Sequence, residues 1–162
     1  MSETYTSYFE SPIGILKLVT DSDAVQEVLF CDKAGESDQN LPKISSELTE
    51  QLTAYFADAL KEFSLRLNPQ GTDFQKRVWL ELEKLTFGKT ATYIDIANKL
   101  GDPKVIRSAA SANGKNPISI IIPCHRVIGK NGNLTGYAGG LHRKRWLLDH
   151  ENRLANGVLE LF

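Results

Sequence analysis

The 162-residue sequence predicts two units in series: an α/β unit built on antiparallel strands, then a mainly helical unit with a helix-turn-helix. Three observations predict this fold class. Short segments rich in β-branched and aromatic residues lie early in the chain. Helix-capping signals dominate its later part. Between them stands Asn68-Pro69-Gln70-Gly71, which is turn chemistry. The units are therefore expected at residues 1–71 and 72–162.

In the first unit, Thr4–Phe9, Ile13–Thr20 and Val25–Phe30 read as antiparallel strands. Gly14 and Asp21-Ser22-Asp23 separate them. Asp32 to Pro42 is a polar loop. Leu48, Leu52, Tyr55, Phe56 and Ala59 recur at helical spacing and predict an amphipathic helix over Ser45–Leu60. Phe63–Leu67 is a further candidate strand.

Thr72-Asp73-Phe74-Gln75 is a capping box opening a helix with Phe74, Val78, Leu82 and Leu85 on one face. Thr92 with Asp95 caps a helix over Tyr93–Leu100. Gly101 ends it, Asp102 caps the next, and Pro103 suits that helix's first turn. The next helix runs to about Ala112 and stops at Asn113-Gly114. Two short helices joined by Gly-Asp-Pro make a helix-turn-helix pattern, although any two packed helices would read alike. Ile120–Ile122 predicts a buried strand. Asn131-Gly132 predicts a tight hairpin joining Val127–Gly129 to Leu134–Tyr137. Leu141–His150 predicts a closing basic helix.

Charge divides the chain as sharply as the strand and helix signals do. Residues 1–71 carry five Lys/Arg against 12 Asp/Glu, and residues 72–162 carry 14 against eight. No acidic residue lies between Asp102 and Asp149. That window holds Lys104, Arg107, Lys115, Arg126, Lys130, Arg143, Lys144 and Arg145. A basic face balanced by an acidic neighbour explains it, and so does a footprint for nucleic acid. No apolar run is long enough for a membrane span. The polar, acidic start is unlike a secretory signal, and two widely spaced cysteines make a poor disulfide framework. A cytoplasmic, reducing setting is expected.

Cys124 stands in Ile120-Ile121-Ile122-Pro123-Cys124-His125-Arg126. An isolated cysteine after an apolar run is usually inert. Here proline makes the chain turn, a histidine and an arginine come directly after the cysteine, and the neighbourhood is basic. A positive field favours thiolate, whereas burial opposes it. Relayed deprotonation therefore fits better than a standing thiolate, with His125 as the local base and Asp149 or Glu151 as its orienting carboxylate. No metal is expected, because His125, His142, His150 and Cys31 lack ligand spacing.

Pro123-Cys124-His125-Arg126-Val127-Ile128-Gly129 resembles the active-site motif of the 6-O-alkylguanine-DNA alkyltransferases. Asn116-Pro117, Gly136-Tyr137-Ala138-Gly139-Gly140 and Leu147-Leu148-Asp149-His150-Glu151 extend the match. So do Phe74-Gln75-Lys76-Arg77-Val78-Trp79, Gly88-Lys89-Thr90, Tyr93 and Ser11-Pro12-Ile13-Gly14. The resemblance implies a ribonuclease H-like sheet in the first unit. It implies a helix-turn-helix docking in the minor groove of double-stranded DNA that carries 6-O-alkylguanine. It further implies extrusion of the damaged base and single-turnover transfer of its alkyl group to Cys124, without a cofactor.

By the same resemblance His125 is a water-bridged base, Glu151 orients it, and Asn116 holds the turn. Tyr93 rotates the nucleotide and assists the departing base. Arg107 fills the gap in the stack. Ser108, Ala110, Ser111, Asn113 and Arg126 are expected at the DNA. Val127, Tyr137, Ala138, Gly139 and Lys144 are expected around the base. A monomer is expected, with no fused sensor domain.

Two positions depart from the family pattern. Ala110 stands where glycine is common, and Ala138 lacks a hydroxyl that some members carry. Both bear on substrate range. An alkyltransferase-like lesion-binding protein, which binds without transfer, is the alternative; such proteins generally replace the cysteine. A cysteine hydrolase and a plain helix-turn-helix regulator are more distant readings.

Overall fold

The computed structural model describes residues 3–157. They fall into two units. One takes the chain up to Gln70 together with Pro117–Ser119. The other takes Gly71–Asn116 and the chain from Ile120 onward. The sequence pattern suggested a single cut, but the chain returns to the first unit for three residues.

In the first unit, strands β1 (Tyr5–Ser11), β2 (Gly14–Thr20) and β3 (Val25–Cys31) form an antiparallel sheet in that order. Ser11 closes the first turn: its hydroxyl accepts from Ile13 N at 3.2 Å and donates to Gly14 O at 2.6 Å. Asp21 closes the second, its Oδ1 accepting from the amides of Asp23 and Ala24 at 2.7 and 2.8 Å.

Helix α1 (Lys43–Phe56) buries Ile44, Leu48, Leu52 and Tyr55, and the sheet buries Leu16, Leu18 and Val28. Each such aliphatic side chain contributes about 1.5–3 kcal/mol on leaving water. The helix stops four residues short of the expected Leu60, where Asp58 takes a left-handed φ of 65°.

The free edge of β3 is covered by two single-residue bridges, Leu67 to Val25 and Ile118 to Val28. Val28 N donates to Pro117 O, and Ser119 N donates to Val28 O, both at 2.9 Å. The expected strand over Phe63–Leu67 is reduced to the first of these bridges. The expected strand at Ile120–Ile122 is absent. Ser119–Ile121 form a turn, and Ile120 sits at φ 73°. Ile120 and Ile122 are buried all the same, at 1% and 0% exposure, with Ile121 half-buried between them.

The second unit begins with α2 (Asp73–Glu83) behind a complete capping box. Thr72 Oγ1 accepts from Gln75 N, and Gln75 Oε1 accepts from Thr72 N. The same device opens α3 (Tyr93–Lys99) through Thr92 and Asp95. Gly101, at φ 93°, takes the chain out of α3. A 3₁₀ turn, Pro103–Val105, is capped by Asp102 and precedes α4 (Ile106–Gly114). The helix-turn-helix is therefore α3–turn–α4, with that 3₁₀ turn where sequence predicted the first turn of the second helix. Trp79 of α2 is buried against α4, its indole N–H donating to Ala112 O at 2.9 Å.

Strands β4 (Ala91–Thr92) and β5 (Val127–Ile128) pair in parallel. This pairing replaces the expected hairpin. Lys130–Gly132 is a 3₁₀ turn with Asn131 at φ 65°, and no strand forms over Leu134–Tyr137. Helix α5 (Leu141–Asn156) closes the unit, burying Lys144, Leu147, Leu148 and Glu151 on one face.

Candidate active site

The short β4–β5 pair organises the site. It ties Thr92, and so the start of α3 with Tyr93, to the segment directly after Cys124-His125-Arg126. Upstream, Pro123 makes a tight turn with Cys124 N donating to Ile122 O at 2.8 Å. Cys124–Arg126 then form one 3₁₀ turn. Asn116 Nδ2 donates to Ile122 O at 2.8 Å, which pins the turn from behind. The Asn116 amide also hydrogen-bonds the Cys124 thiol. Cys124 is thus presented by a turn, where the sequence suggested the end of a strand.

Glu151 reaches this turn from α5. Its Oε2 lies 2.7 Å from His125 Nε2. Its Oε1 accepts from Arg126 Nε at 2.7 Å, and Oε2 also accepts from Arg126 Nη2 at 3.0 Å. Arg126 Nη1 donates to Leu85 O at 2.7 Å, and the guanidinium stacks over Phe87 at 5.7 Å. His125 and Glu151 are 0% and 1% exposed. This bidentate, buried arrangement is the strong form of an arginine–carboxylate pair.

These contacts set the charges. Burial alone would raise the Glu151 carboxyl, but His125 and Arg126 outweigh it and hold the group well below the usual carboxylate range. Burial lowers the His125 pKa in spite of Glu151, so the imidazole rests neutral. An ionised carboxylate only accepts hydrogen bonds, so the proton of His125 sits on Nε2. Nδ1 is left with its lone pair, buried and without a hydrogen-bond partner among the described residues. That nitrogen is a base in waiting. Burial pushes the Cys124 thiol up, while Asn116, the Lys144 charge and the amides of the turn oppose the rise. Cys124 therefore rests as a thiol. Lys144, fully buried on α5, is pushed down by burial to about 8.

The same values predict acid sensitivity. An unfolded His125 takes up a proton near its ordinary 6.5, whereas the folded one stays neutral to lower pH. The unfolded state then binds more protons, so stability falls as pH drops below 6.5. Glu151 repeats this lower down: its stabilisation is complete above the ordinary 4.5 and is lost as pH falls beneath that value. Urea midpoints should therefore decline from neutral pH downward, more steeply below 4.5. A flat midpoint between neutrality and 4.5 contradicts a neutral buried His125.

The structure brings together Cys124, His125, Glu151, Asn116 and Lys144. It selects Glu151 over Asp149. Tyr93 is half-buried and receives a hydrogen bond from Thr135 Oγ1 at 3.0 Å. Arg107, Ser108 and Ser111 are exposed along α4 and share a groove with Thr72, Phe74 and Gln75; Ala110 is half-buried.

Two residues expected at the DNA are not on that surface. Arg126 is 6% exposed, with its guanidinium committed to Glu151 and Leu85, and Asn113 is 4% exposed. Val127 is fully buried in β5. Tyr137 is half-buried, Ala138 exposed and Gly139 buried, in a loop held by Arg143 Nη1 on Gly139 O at 3.0 Å. Sequence reasoning missed Thr135 and the clamp role of Arg126. For the clamp the available signal was on α5, where Lys144 and Glu151 fall on the same helical face as Leu147 and Leu148; Thr135 had none.

Comparison with known proteins decides the family. The DNA-binding-domain model of the 6-O-methylguanine DNA methyltransferases matches residues 73–153, and their ribonuclease-like-domain model matches residues 4–69. The chain belongs to the 6-O-methylguanine DNA methyltransferase family.

Among curated relatives of this family member, a methylated-DNA–protein-cysteine methyltransferase of Methanosarcina acetivorans is 46% identical over 154 residues, covering 91% of this chain and 97% of its own. A Mycobacterium tuberculosis protein of the same name is 43% identical over 157 residues, covering 94% and 95%. The crystal structure of the M. tuberculosis O6-methylguanine methyltransferase aligns with a TM-score of 0.84 at 41% identity, over 97% of this chain and 98% of that one. A crystal structure of the M. tuberculosis protein in complex with DNA aligns at 0.82 and 43% identity, over 91% and 92%. The methyltransferase fold of the first unit is the ribonuclease-like one, and DNA is the partner of the second. No helix among the described residues is long and apolar enough to cross a membrane.

Proposed function

We propose that this methyltransferase repairs DNA directly, taking the alkyl group of 6-O-alkylguanine onto Cys124 once and irreversibly. The observation that carries this is the chain of contacts behind Cys124. A buried thiol sits on a pinned turn, and a neutral histidine beside it offers Nδ1 because an ionised Glu151 holds Nε2.

The thiol proton passes to His125 Nδ1, through a bridging water. Glu151 stabilises the resulting imidazolium. The sulfur attacks the alkyl carbon, the S–C bond forms, and the bond from carbon to the guanine 6-oxygen breaks with its electron pair staying on the oxygen. The guanine anion takes up a proton from water, and the His125 imidazolium returns its proton to water. Tyr93 donates a hydrogen bond to the departing base. Lys144 favours the thiolate by charge. The product is a thioether, and among the described residues no group beside Cys124 is suited to cleave it, so each molecule acts once.

A base stacked in a duplex is out of reach of this turn, and extrusion costs a few kcal/mol. Exposed Arg107 on α4 fills the vacated stack, with Ser108 and Ser111 against the backbone and the helix in the minor groove. Val127 and the Tyr137–Gly139 loop border the extruded base. Every residue of the relay comes from one chain, which suits a monomer. The free thiols Cys31 and Cys124 suit the reducing cytoplasm.

The test is mass analysis of the Cys124 peptide after incubation with DNA carrying 6-O-methylguanine. One methylene unit must be gained, at Cys124 and in stoichiometric amount. Lesion binding with unchanged mass leaves a lesion-binding protein instead and overturns the proposal.

A further inference from the structure

Thr135 lies in the irregular segment between the Lys130–Gly132 turn and α5, where no local sequence signal singles it out. Its side chain and main chain are each committed. The hydroxyl donates to the Tyr93 phenol oxygen at 3.0 Å. The carbonyl accepts from the buried Lys144 ammonium at 2.8 Å. The methyl group faces Gly129 so closely that a Cβ added there would lie 2.9 Å from Thr135 Cγ2. Gly129 is itself fixed, its N–H donating to Asn133 O at 2.7 Å. Three different attachments therefore fix the direction of one hydroxyl.

A phenol oxygen holds one proton and accepts through its lone pairs. If Tyr93 gave its proton to a neighbouring protein group, it would have none left for a leaving base. The observed bond runs the other way, from Thr135 to Tyr93. It occupies a lone pair and leaves the Tyr93 proton free to be given elsewhere. The Tyr93 backbone is fixed directly after the Thr92 cap and the β4–β5 pair, so the Thr135 contact acts on a phenol hung from a set position.

We infer that Thr135 is a positioning residue for alkyl transfer, aiming the Tyr93 O–H at the departing base while its carbonyl anchors Lys144. This rests on the reading of Tyr93 as the group that assists departure.

Thr135→Val keeps the shape and removes only the donor, whereas Thr135→Ser keeps the donor. Rates of Cys124 alkylation are measured at saturating lesion duplex, alongside lesion-DNA affinity. Thr135→Val should react about tenfold more slowly, the kinetic equivalent of one hydrogen bond, with affinity unchanged. Thr135→Ser should restore the parent rate. In a Tyr93→Phe background Thr135→Val should cost nothing further, because the acceptor is already gone. A parent rate for Thr135→Val, a loss confined to affinity, no rescue by serine, or full additivity with Tyr93→Phe overturns the proposal. A parent rate for Tyr93→Phe alone instead overturns the underlying reading of Tyr93.

Discussion

Replacing Glu151 by alanine is expected to remove about 3–5 kcal/mol of stability, because it leaves the Arg126 guanidinium buried without its counter-charge. For a chain of this size that is a fall in melting temperature of the order of 10 °C. Alkyl transfer should fail as well, since His125 loses the group that fixes its tautomer and stabilises its charged form. The two losses can be separated. Replacing Arg126 by methionine in the Glu151→Ala protein removes the stranded charge and should recover much of the stability without recovering transfer. Differential scanning calorimetry and the Cys124 alkylation rate check the two halves. An unchanged melting temperature for Glu151→Ala would contradict the clamp.

Arg107→Ala is expected to act on one substrate and spare the other. If the side chain stabilises an extruded base by a few kcal/mol, its loss should slow repair in duplex DNA by about 10²-fold. Reaction with free 6-O-benzylguanine needs no extrusion and should be nearly unchanged, because Arg107 is exposed on α4, outside the Cys124–His125–Glu151 relay. The measurement is the pair of second-order rate constants. Equal losses would make Arg107 a structural residue.

Much of this molecule is legible in its sequence, and what escapes has a common cause. Both capping boxes, Thr72 with Gln75 and Thr92 with Asp95, form as their spacing requires, because the partners are three residues apart. The three early strands appear for the same local reason. The failures arise where a distant segment competes for the same groups.

Ile120–Ile122 has the composition of a buried strand, but Val28 is already bridged by Ile118, and the chain turns immediately after. Asn131-Gly132 is a strong hairpin signal, yet Val127 and Ile128 take Ala91 and Thr92 as parallel partners. Arg126 looked like part of a basic footprint until Glu151, 25 residues away, captured it. An arginine inside an acid-free stretch gives no local warning of that. The relay itself was readable in outline: Cys124 and His125 from their adjacency, Glu151 as one of two candidate carboxylates on the residues alone and as the orienting group by the family resemblance, and the proton's place on His125 not at all.

Pro117–Ser119 carries a consequence for how such a protein can be taken apart or recombined. The three residues are encoded within the second half of the chain, yet they serve the first unit, where Ile118 completes the cover over β3. A crossover at Gln70, joining the sheet of one relative to the helical part of another, would also import a foreign edge for that sheet. Hybrid proteins made in this way should inherit compatibility or failure at Val28, far in sequence from the joint. The halves are therefore poor interchangeable cassettes, because the segment leading to the reactive thiol also completes a sheet that holds none of the relay residues.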